Sequence, residues 1–313
     1  MSMDTFLLLR KEYPQLIDEG IVHIEVPLKE HCSFNIGGPA EVFCTPYTQK
    51  QLVTLLKFCL EHNIPYFILG KGSNLLISDK GVKGIVISTE RFDKITLGKH
   101  YLSAFCGVTL KDLGNFACEN GLSGLEFASG IPGSVGGAVF MNAGAYGNEI
   151  KDMLYSSRAI LPTQEKLNSP NPVFYLKASE HNFSYRHSVF QDLGLIHLSS
   201  LFILKKDKPE NIRQRMQELQ QKRQDKQPMD LPSAGSVFKR PEGFFTGKLI
   251  EECGLKGFRI GDAAISEKHC GFIVNLGSAT AKDVFQLIQH IQKVVYERYG
   301  VHLQTEIRIL GEI

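Results

Sequence analysis

The sequence predicts an α+β protein of two or three domains, and three observations carry that expectation. At 313 residues the chain is long for one hydrophobic core. Its first two thirds interleave helix-period stretches with short apolar runs of strand length, a mixed α/β pattern. A polar helix-like segment beginning near residue 208 then marks a change of composition, after which a second set of helices and strands starts.

The elements follow in order. Residues 48–63 place Leu52, Leu55, Leu56 and Cys59 at helical spacing, and the apolar run 64–69 reads as a buried strand, so a helix feeds a strand. Residues 84–88 and 100–105 read as further strands. Residues 109–120 read as a helix with Thr109 as N-cap, Asp112 at the capping-box position and Gly121 closing it. Residues 195–204 read as a strand, and 210–226 carries only Ile212, Met216 and Leu219 as an apolar stripe on a polar helix. Beyond it come a helix at 248–253, a strand at 271–275 and an amphipathic helix at 281–299 capped by Thr280, Asp283 and Gly300. A last strand, 301–310, alternates: Leu303, Thr305, Ile307 and Ile309 share one face, and His302, Gln304, Glu306 and Arg308 the other.

Bulk properties narrow the function classes. A formal net charge of +2 without clustered basic residues argues against nucleic acid as a partner, and the densest basic stretch, 213–226, is diluted by Gln and Glu into a solvated helix face. Seven cysteines without a C-x-x-C pair are expected reduced and mostly buried. No apolar stretch reaches the roughly twenty residues that span a bilayer, and 6–9 runs into Arg10, Lys11 and Glu12 instead of a cleavage site, so a cytoplasmic location is expected. The histidines are scattered, with neither a metal-ligand cluster nor a Ser-His-Asp order. Nothing in the pattern fixes an oligomeric state.

Two glycine loops carry the chemistry. Leu69-Gly-Lys-Gly-Ser-Asn-Leu-Leu-Ile77 follows a strand, and Gly130-Ile-Pro-Gly-Ser-Val-Gly-Gly-Ala138 continues into Asn142-Ala-Gly-Ala-Tyr-Gly147. Glycine admits positive φ and close approach, so successive N–H groups can converge on phosphate oxygens without a cationic side chain. Neither loop has the G-x-G-x-x-G pattern with its acidic ribose residue or a G-K-[ST] ending. Gly70, Gly72, Gly136 and Gly137 therefore point to a dinucleotide diphosphate site of another kind. Tight turns or a close-packed helix start are the alternative, with Lys71 a solvated loop charge.

The ordered motifs G-K-G-S-N-L-L and G-I-P-G-S-V-G-G-A-x-x-x-N-A-G-A-Y-G resemble the UDP-N-acetylenolpyruvoylglucosamine reductase family. So do Ser33-Phe-Asn-Ile-Gly-Gly38, Tyr185-Arg-His-Ser188, Ala234-Gly-Ser-Val-Phe238, Gly247-Lys-Leu-Ile250, Ile260-Gly-Asp-Ala-Ala264 and Glu306-Ile-Arg-Ile-Leu-Gly311. The resemblance implies a vanillyl-alcohol-oxidase-like FAD-binding fold of two α/β subdomains, 1–62 and 63–207, with a C-terminal α+β substrate domain, 208–313. It implies FAD held by Gly70, Gly72, Ser73, Asn74, Leu75, Gly130, Ser134, Gly136, Gly137, Ala138 and Gly147. The implied reaction takes UDP-N-acetylglucosamine enolpyruvate, a small-molecule substrate, to UDP-N-acetylmuramate, with NADPH reducing FAD first.

Hydride on one vinyl carbon leaves charge that delocalises into the adjacent carboxylate, and this needs stabilisation and then a proton. By motif position Arg186 would stabilise the enolate, its fork matching a carboxylate bidentately, and a surface salt bridge is its plain alternative. Ser236 would donate the proton, a role for a weak acid only against a strongly basic carbanion beside positive charge, and the plain alternative is a turn residue next to Gly235. Glu306 would assist, or form a same-face ion pair with Arg308. Tyr185, Lys226, Arg240 and His269 are the implied substrate contacts. There is no room between Arg186 and Lys226 for the tyrosine-bearing loop that some members insert, so the chain resembles the shorter type. Asp262 stands where a second glycine is common in the family. Many FAD-dependent oxidases of the same architecture attach the flavin covalently through a histidine near the first phosphate loop, and 69–79 has none, so non-covalent FAD is expected. The competing readings are such an oxidase with another substrate, disfavoured by the C-terminal motifs, and a nucleotide sensor without turnover.

Overall fold

The computed structural model describes residues 2–99 and 101–313. His100, first residue of the expected strand 100–105, lies outside the described residues, and the strand itself is Leu102–Phe105. The chain divides into two compact units: Met1–Ile24, Val42–Lys71 and Gly84–Gln221 form the first, and Glu25–Glu41, Gly72–Lys83 and Lys222–Ile313 the second. Neither is a continuous stretch of sequence. Among the described residues no helix is long and apolar enough to cross a membrane.

In the first unit the helix Gln49–Glu61 starts at Thr48, whose hydroxyl accepts the Gln51 N–H at 3.2 Å while the Gln51 amide oxygen accepts the Thr48 N–H at 3.0 Å. This reciprocal cap is worth about 1 kcal/mol. The helix buries Leu52, Leu55, Leu56 and Cys59, the face its spacing predicts. It leads to the strand Tyr66–Leu69, which pairs parallel with Val82–Ser88 and so delivers the first glycine loop at a strand end. The helix Leu110–Glu119 has Thr109 as its cap, and Gly121 follows at φ +64°. Asp112 is a correction, because its carboxylate takes the Thr109 hydroxyl proton at 2.5 Å instead of completing a capping box.

This unit also holds a five-stranded antiparallel sheet, in the order Val173–Lys177, Leu154–Ile160, Ile196–Phe202, Leu102–Phe105, Ile95–Leu97. Its core holds Leu102, Leu113, Val135, Val139, Phe190 and Phe202. Arg215, within the stretch expected to be a solvated face, instead meets Glu126 at 2.8 Å and Asp207 at 2.6 Å.

In the second unit an antiparallel sheet runs Ser233–Ser236, Phe272–Asn275, Ala263–Ile265, Arg259–Ile260. The helix Ala281–Tyr299 buries Val284, Leu287, Ile288, Ile291 and Val295, with the Thr280–Asp283 box at its start and Gly300 at φ +67°. Asp79 adds a second cap by accepting the Ala281 and Lys282 N–H groups at 2.9 and 3.2 Å, the favoured end of the helix dipole for a carboxylate.

The expected strand 301–310 is shorter. Only Arg308–Leu310 is strand, paired parallel with Leu75–Ile77. Upstream, Glu306 and Ile307 both donate to the Val237 carbonyl, at 2.8 and 3.4 Å. That shared acceptor breaks the two-residue period in the manner of a bulge. Leu303 and Ile307 are buried as the alternation predicts, whereas Ile309 is 42% exposed.

All seven cysteines are free thiols and six are buried, Cys253 being the half-buried one. Burial pushes the Cys59 and Cys106 thiols up to about 12, so they behave as small apolar groups.

Candidate active site

The first glycine loop meets the second at one point in the first unit. A Cβ on Gly70 would stand 2.6 Å from the Ser134 hydroxyl, which itself caps the helix Val135–Met141 by accepting the Gly137 N–H at 3.4 Å. A Cβ on Gly136 would meet the Cys106 Cβ at 3.0 Å, and its N–H is taken by the Cys106 carbonyl at 2.9 Å. In the second unit Gly72, at φ +59°, would place a Cβ 2.3 Å from the His31 carbonyl oxygen. Of these three, Gly72 is required by both its positive φ and the backbone beside it, whereas Gly70 and Gly136 sit in tight packing against Ser134 and Cys106. Gly137 and Gly147 are different: within 4 Å of a Cβ position Gly137 meets only the Ser134 hydroxyl, at 3.6 Å, and Gly147, at φ +85°, meets nothing.

The part of the cradle in the first unit suits a phosphate group. There the Lys71 N–H has no hydrogen-bond partner among the described residues, and a helix begins at Ser134. Backbone donors at a strand end and a helix start are what an anion needs.

The second glycine run does more than line a cradle. Asn142 ends its helix at φ +43° and is fully buried. Its amide nitrogen donates to Glu149 Oε2 at 3.1 Å and to the Ser184 carbonyl at 3.0 Å, and its amide oxygen accepts the Lys151 N–H at 3.2 Å. Asn142 was quoted above as part of the motif without a role. The signal that could have found it is that Asn tolerates the left-handed cap position.

Ser184 opens the turn that presents Arg186. Ser184 and His187 exchange both backbone hydrogen bonds at 3.2 Å, leaving Tyr185 and Arg186 at the tip with Arg186 at φ +57°. The guanidinium lies over the Tyr185 ring at 5.0 Å and donates to the Gly144 carbonyl at 3.4 Å. Below the tip, Gln191 donates to the carbonyls of Arg186 and Phe140, at 3.1 and 2.8 Å, and Ser188 to that of Phe140 at 2.8 Å.

A buried polar chain runs from His181 to His197. His181 Nδ1 donates to the Lys177 carbonyl at 2.8 Å, so neutral His181 receives the Ser157 hydroxyl proton at Nε2, 2.9 Å away. Ser157 then accepts from Ser200 at 2.8 Å, and Ser200 from His197 Nε2 at 2.7 Å. Burial holds both imidazoles below their ordinary range, His197 down to about 3.

In the second unit Ser236 is placed by a bulge. Ser233 is opposite Val274 but Ser236 is opposite Phe272, so three steps on one strand answer two on the other. Gly235, at φ +78° with nothing within 4 Å of a Cβ position, takes the distortion. Glycine is needed at 235 for its conformation. The extra residue flips the phase, so that Ala234 and Val237 are buried and Ser236 is exposed.

The same unit brings Glu306 to Ser236's strand, since Glu306 N–H donates to the carbonyl of Val237 at 2.8 Å. The Glu306 carbonyl in turn accepts the Asn74 side-chain amide at 3.1 Å, and Arg308 N–H donates to the Asn74 carbonyl at 2.9 Å.

The remaining predicted contacts are local. Arg240 sits over the exposed Phe245 ring at 3.9 Å and donates to the Phe244 carbonyl at 3.1 Å. Lys226 is the exposed last residue of the helix Pro209–Lys226. His269 accepts the Gly271 N–H at Nδ1, 3.1 Å, against the Phe272 ring, and burial lowers its basicity. Asp262 accepts the Ser278 N–H at 3.0 Å, so the side chain absent from a glycine closes the 276–278 turn.

The chain is similar to proteins of one family over nearly its whole length. A family model described as "UDP-N-acetylenolpyruvoylglucosamine reductase, C-terminal domain" matches residues 227–310, and one described as "FAD binding domain" matches 40–167. The UDP-N-acetylenolpyruvoylglucosamine reductase of Clostridium perfringens (strain SM101 / Type A) is 45% identical over 309 residues, 99% of each chain. That of Caldanaerobacter subterraneus subsp. tengcongensis is 45% identical over 298 residues, 95% of this chain and 96% of its own. A crystal structure of UDP-N-acetylenolpyruvylglucosamine reductase from Thermus caldophilus aligns with a TM-score of 0.78 and 37% identity, covering 93% of this chain and all of that one. Identity of this extent over nearly the whole length shows that the chain belongs to the UDP-N-acetylenolpyruvoylglucosamine reductase family.

Proposed function

We propose that the protein reduces UDP-N-acetylglucosamine enolpyruvate to UDP-N-acetylmuramate, using FAD and NADPH, in the synthesis of peptidoglycan precursors, with cell-wall biogenesis, cell shape and cell division as the processes served. The observation that carries the reading is the junction at Val237, where a hydroxyl-bearing and a carboxylate-bearing residue of the family's motifs meet on paired backbone. FAD, when bound, supplies two-electron chemistry between NADPH and the vinyl group. Residues 1–62 and 63–207 serve the cofactor and 208–313 the substrate. The seven free thiols suit a reducing compartment, and the cytoplasm is the location proposed.

The chain's own residues have three tasks. Gly70, Gly72, Ser73, Leu75 and the main-chain N–H of Asn74 hold one part of the cofactor diphosphate, and Gly130, Ser134, Gly136, Gly137, Ala138 and Gly147 the other. Arg186 binds the substrate carboxylate and holds the negative charge that develops on it, remaining protonated throughout. Ser236 delivers a proton from its hydroxyl to the carbanionic carbon, and Glu306 assists that transfer. Tyr185, Lys226, Arg240 and His269 hold the nucleotide portion.

An anaerobic titration tests the whole reading. NADPH should bleach the yellow flavin and the enolpyruvyl nucleotide should restore it. A flavin inert to both additions would overturn it.

A further inference from the structure

Asn74 belongs to the first glycine loop, yet its side chain is turned to the C-terminal segment. Its amide nitrogen donates to the Glu306 carbonyl at 3.1 Å, and its own carbonyl accepts the Arg308 N–H at 2.9 Å. On the other side, the Glu306 N–H is held by the Val237 carbonyl at 2.8 Å. Both backbone polar groups of Glu306 are therefore fixed, one to the residue after Ser236 and one to the glycine loop. The regular pairing of Leu75–Ile77 with Arg308–Leu310 begins only after this contact. It is thus an additional clamp at the point where the bulge ends.

We infer that Asn74 is a positioning residue: by donating to the Glu306 carbonyl it sets the placement of Glu306 against Ser236 and ties both to the cofactor loop. The inference rests on the role proposed for Glu306. The position calls for an amide. Aspartate has the same shape but no N–H, and its charge would face a carbonyl oxygen, so the backbone of Glu306 would be released without a change of volume. Release matters because a proton-transfer group must sit within hydrogen-bond reach of its target.

The test uses the FAD-loaded enzyme and reads the two half-reactions separately, with Asn74→Asp, Asn74→Ala, Glu306→Gln and the double variant Asn74→Asp/Glu306→Gln. In both Asn74 variants flavin content, flavin spectrum and bleaching by NADPH should be unchanged. Anaerobic re-oxidation by the enolpyruvyl nucleotide should slow by about 10-fold to 10²-fold, the scale of a small misplacement of a reacting group. The double variant should be no slower than Glu306→Gln alone, a non-additivity that a general loss of stability would not produce. Loss of flavin or slowed bleaching in both Asn74 variants overturns the inference and makes the Asn74 side chain a cofactor contact. Slow re-oxidation in Glu306→Gln with a wild-type rate in the Asn74 variants, or additive losses in the double variant, overturns the inference alone. A wild-type rate in Glu306→Gln overturns the role of Glu306 itself.

Discussion

Arg186 and Ser236, the two residues assigned to charge and proton, are both presented by distorted backbone, but the distortion falls in different places. Arg186 itself takes φ +57° at the tip of the 184–187 turn, whereas at Ser236 the neighbouring Gly235 takes φ +78°. A side chain in the left-handed region costs about 1–2 kcal/mol, so the first arrangement stores strain on the functional residue. The surroundings differ accordingly. Arg186 is held from below by Gln191 and from the side by Gly144. The Ser236 strand needs only its bulge and the regular pairing beyond it. Strain on a residue is sustained where a side chain and a carbonyl from other segments hold it, and is passed to glycine where a bulged strand presents it.

The largest expected effect separates role from architecture. Ser236→Ala should leave bleaching by NADPH intact and slow re-oxidation by roughly 10² or more, the usual weight of a general acid. Normal turnover in that variant would remove Ser236 from its role. Next, Gly235→Ala should destabilise the fold by about 1–2 kcal/mol in urea denaturation, because alanine must enter the left-handed region. A stable Gly235→Ala would show that the bulge does not depend on glycine.

The third concerns the buried histidines His181 and His197. His197 titrates near 3 in the fold against an ordinary 6.5, so the unfolded chain takes up a proton first as pH falls. The stability tied to neutral His197 is full above about 6.5 and is lost progressively below it, with the loss complete only near 3. The urea midpoint should therefore fall between pH 7 and pH 5, and His197→Leu should flatten that slope even if it lowers the midpoint throughout. An unchanged slope would mean that other groups set the acid limb.

The smallest effect sharpens the opening contrast. Arg186→Gly relieves about 1–2 kcal/mol of strain but gives back part of it through unfolded-state entropy and the lost contacts. Its thermal midpoint should stay near that of the parent while turnover is lost. A large destabilisation would show that the guanidinium holds the turn together and not the reverse.

Much of this was legible in the sequence because it rests on local rules. The helix 281–299 could be read to the residue because its period lies within it and its cap Thr280 and closing Gly300 directly flank it. The helix face at Leu52, Leu55, Leu56 and Cys59 follows from spacing for the same reason. The last strand was over-extended because a bulge is set by the partner: Glu306 and Ile307 share one acceptor, the Val237 carbonyl, about seventy residues away in the chain. Gly235, Asn142 and Asp262 could each be noticed by type, but what they bond is set by distant backbone.

The sequence by itself determined the kinds of group available: two glycine loops free of the common nucleotide patterns, an arginine in a short turn motif, a serine after a glycine and a carboxylate near the end. Only the tertiary structure decided that residues 25–41 and 72–83 join the C-terminal part in one compact unit. It also decided that Asn74 clamps Glu306 across 232 positions of chain. The reason is physical. Composition and period act within a few turns of backbone, whereas register, bulges and clamps depend on which main-chain groups remain unpaired once distant segments have packed.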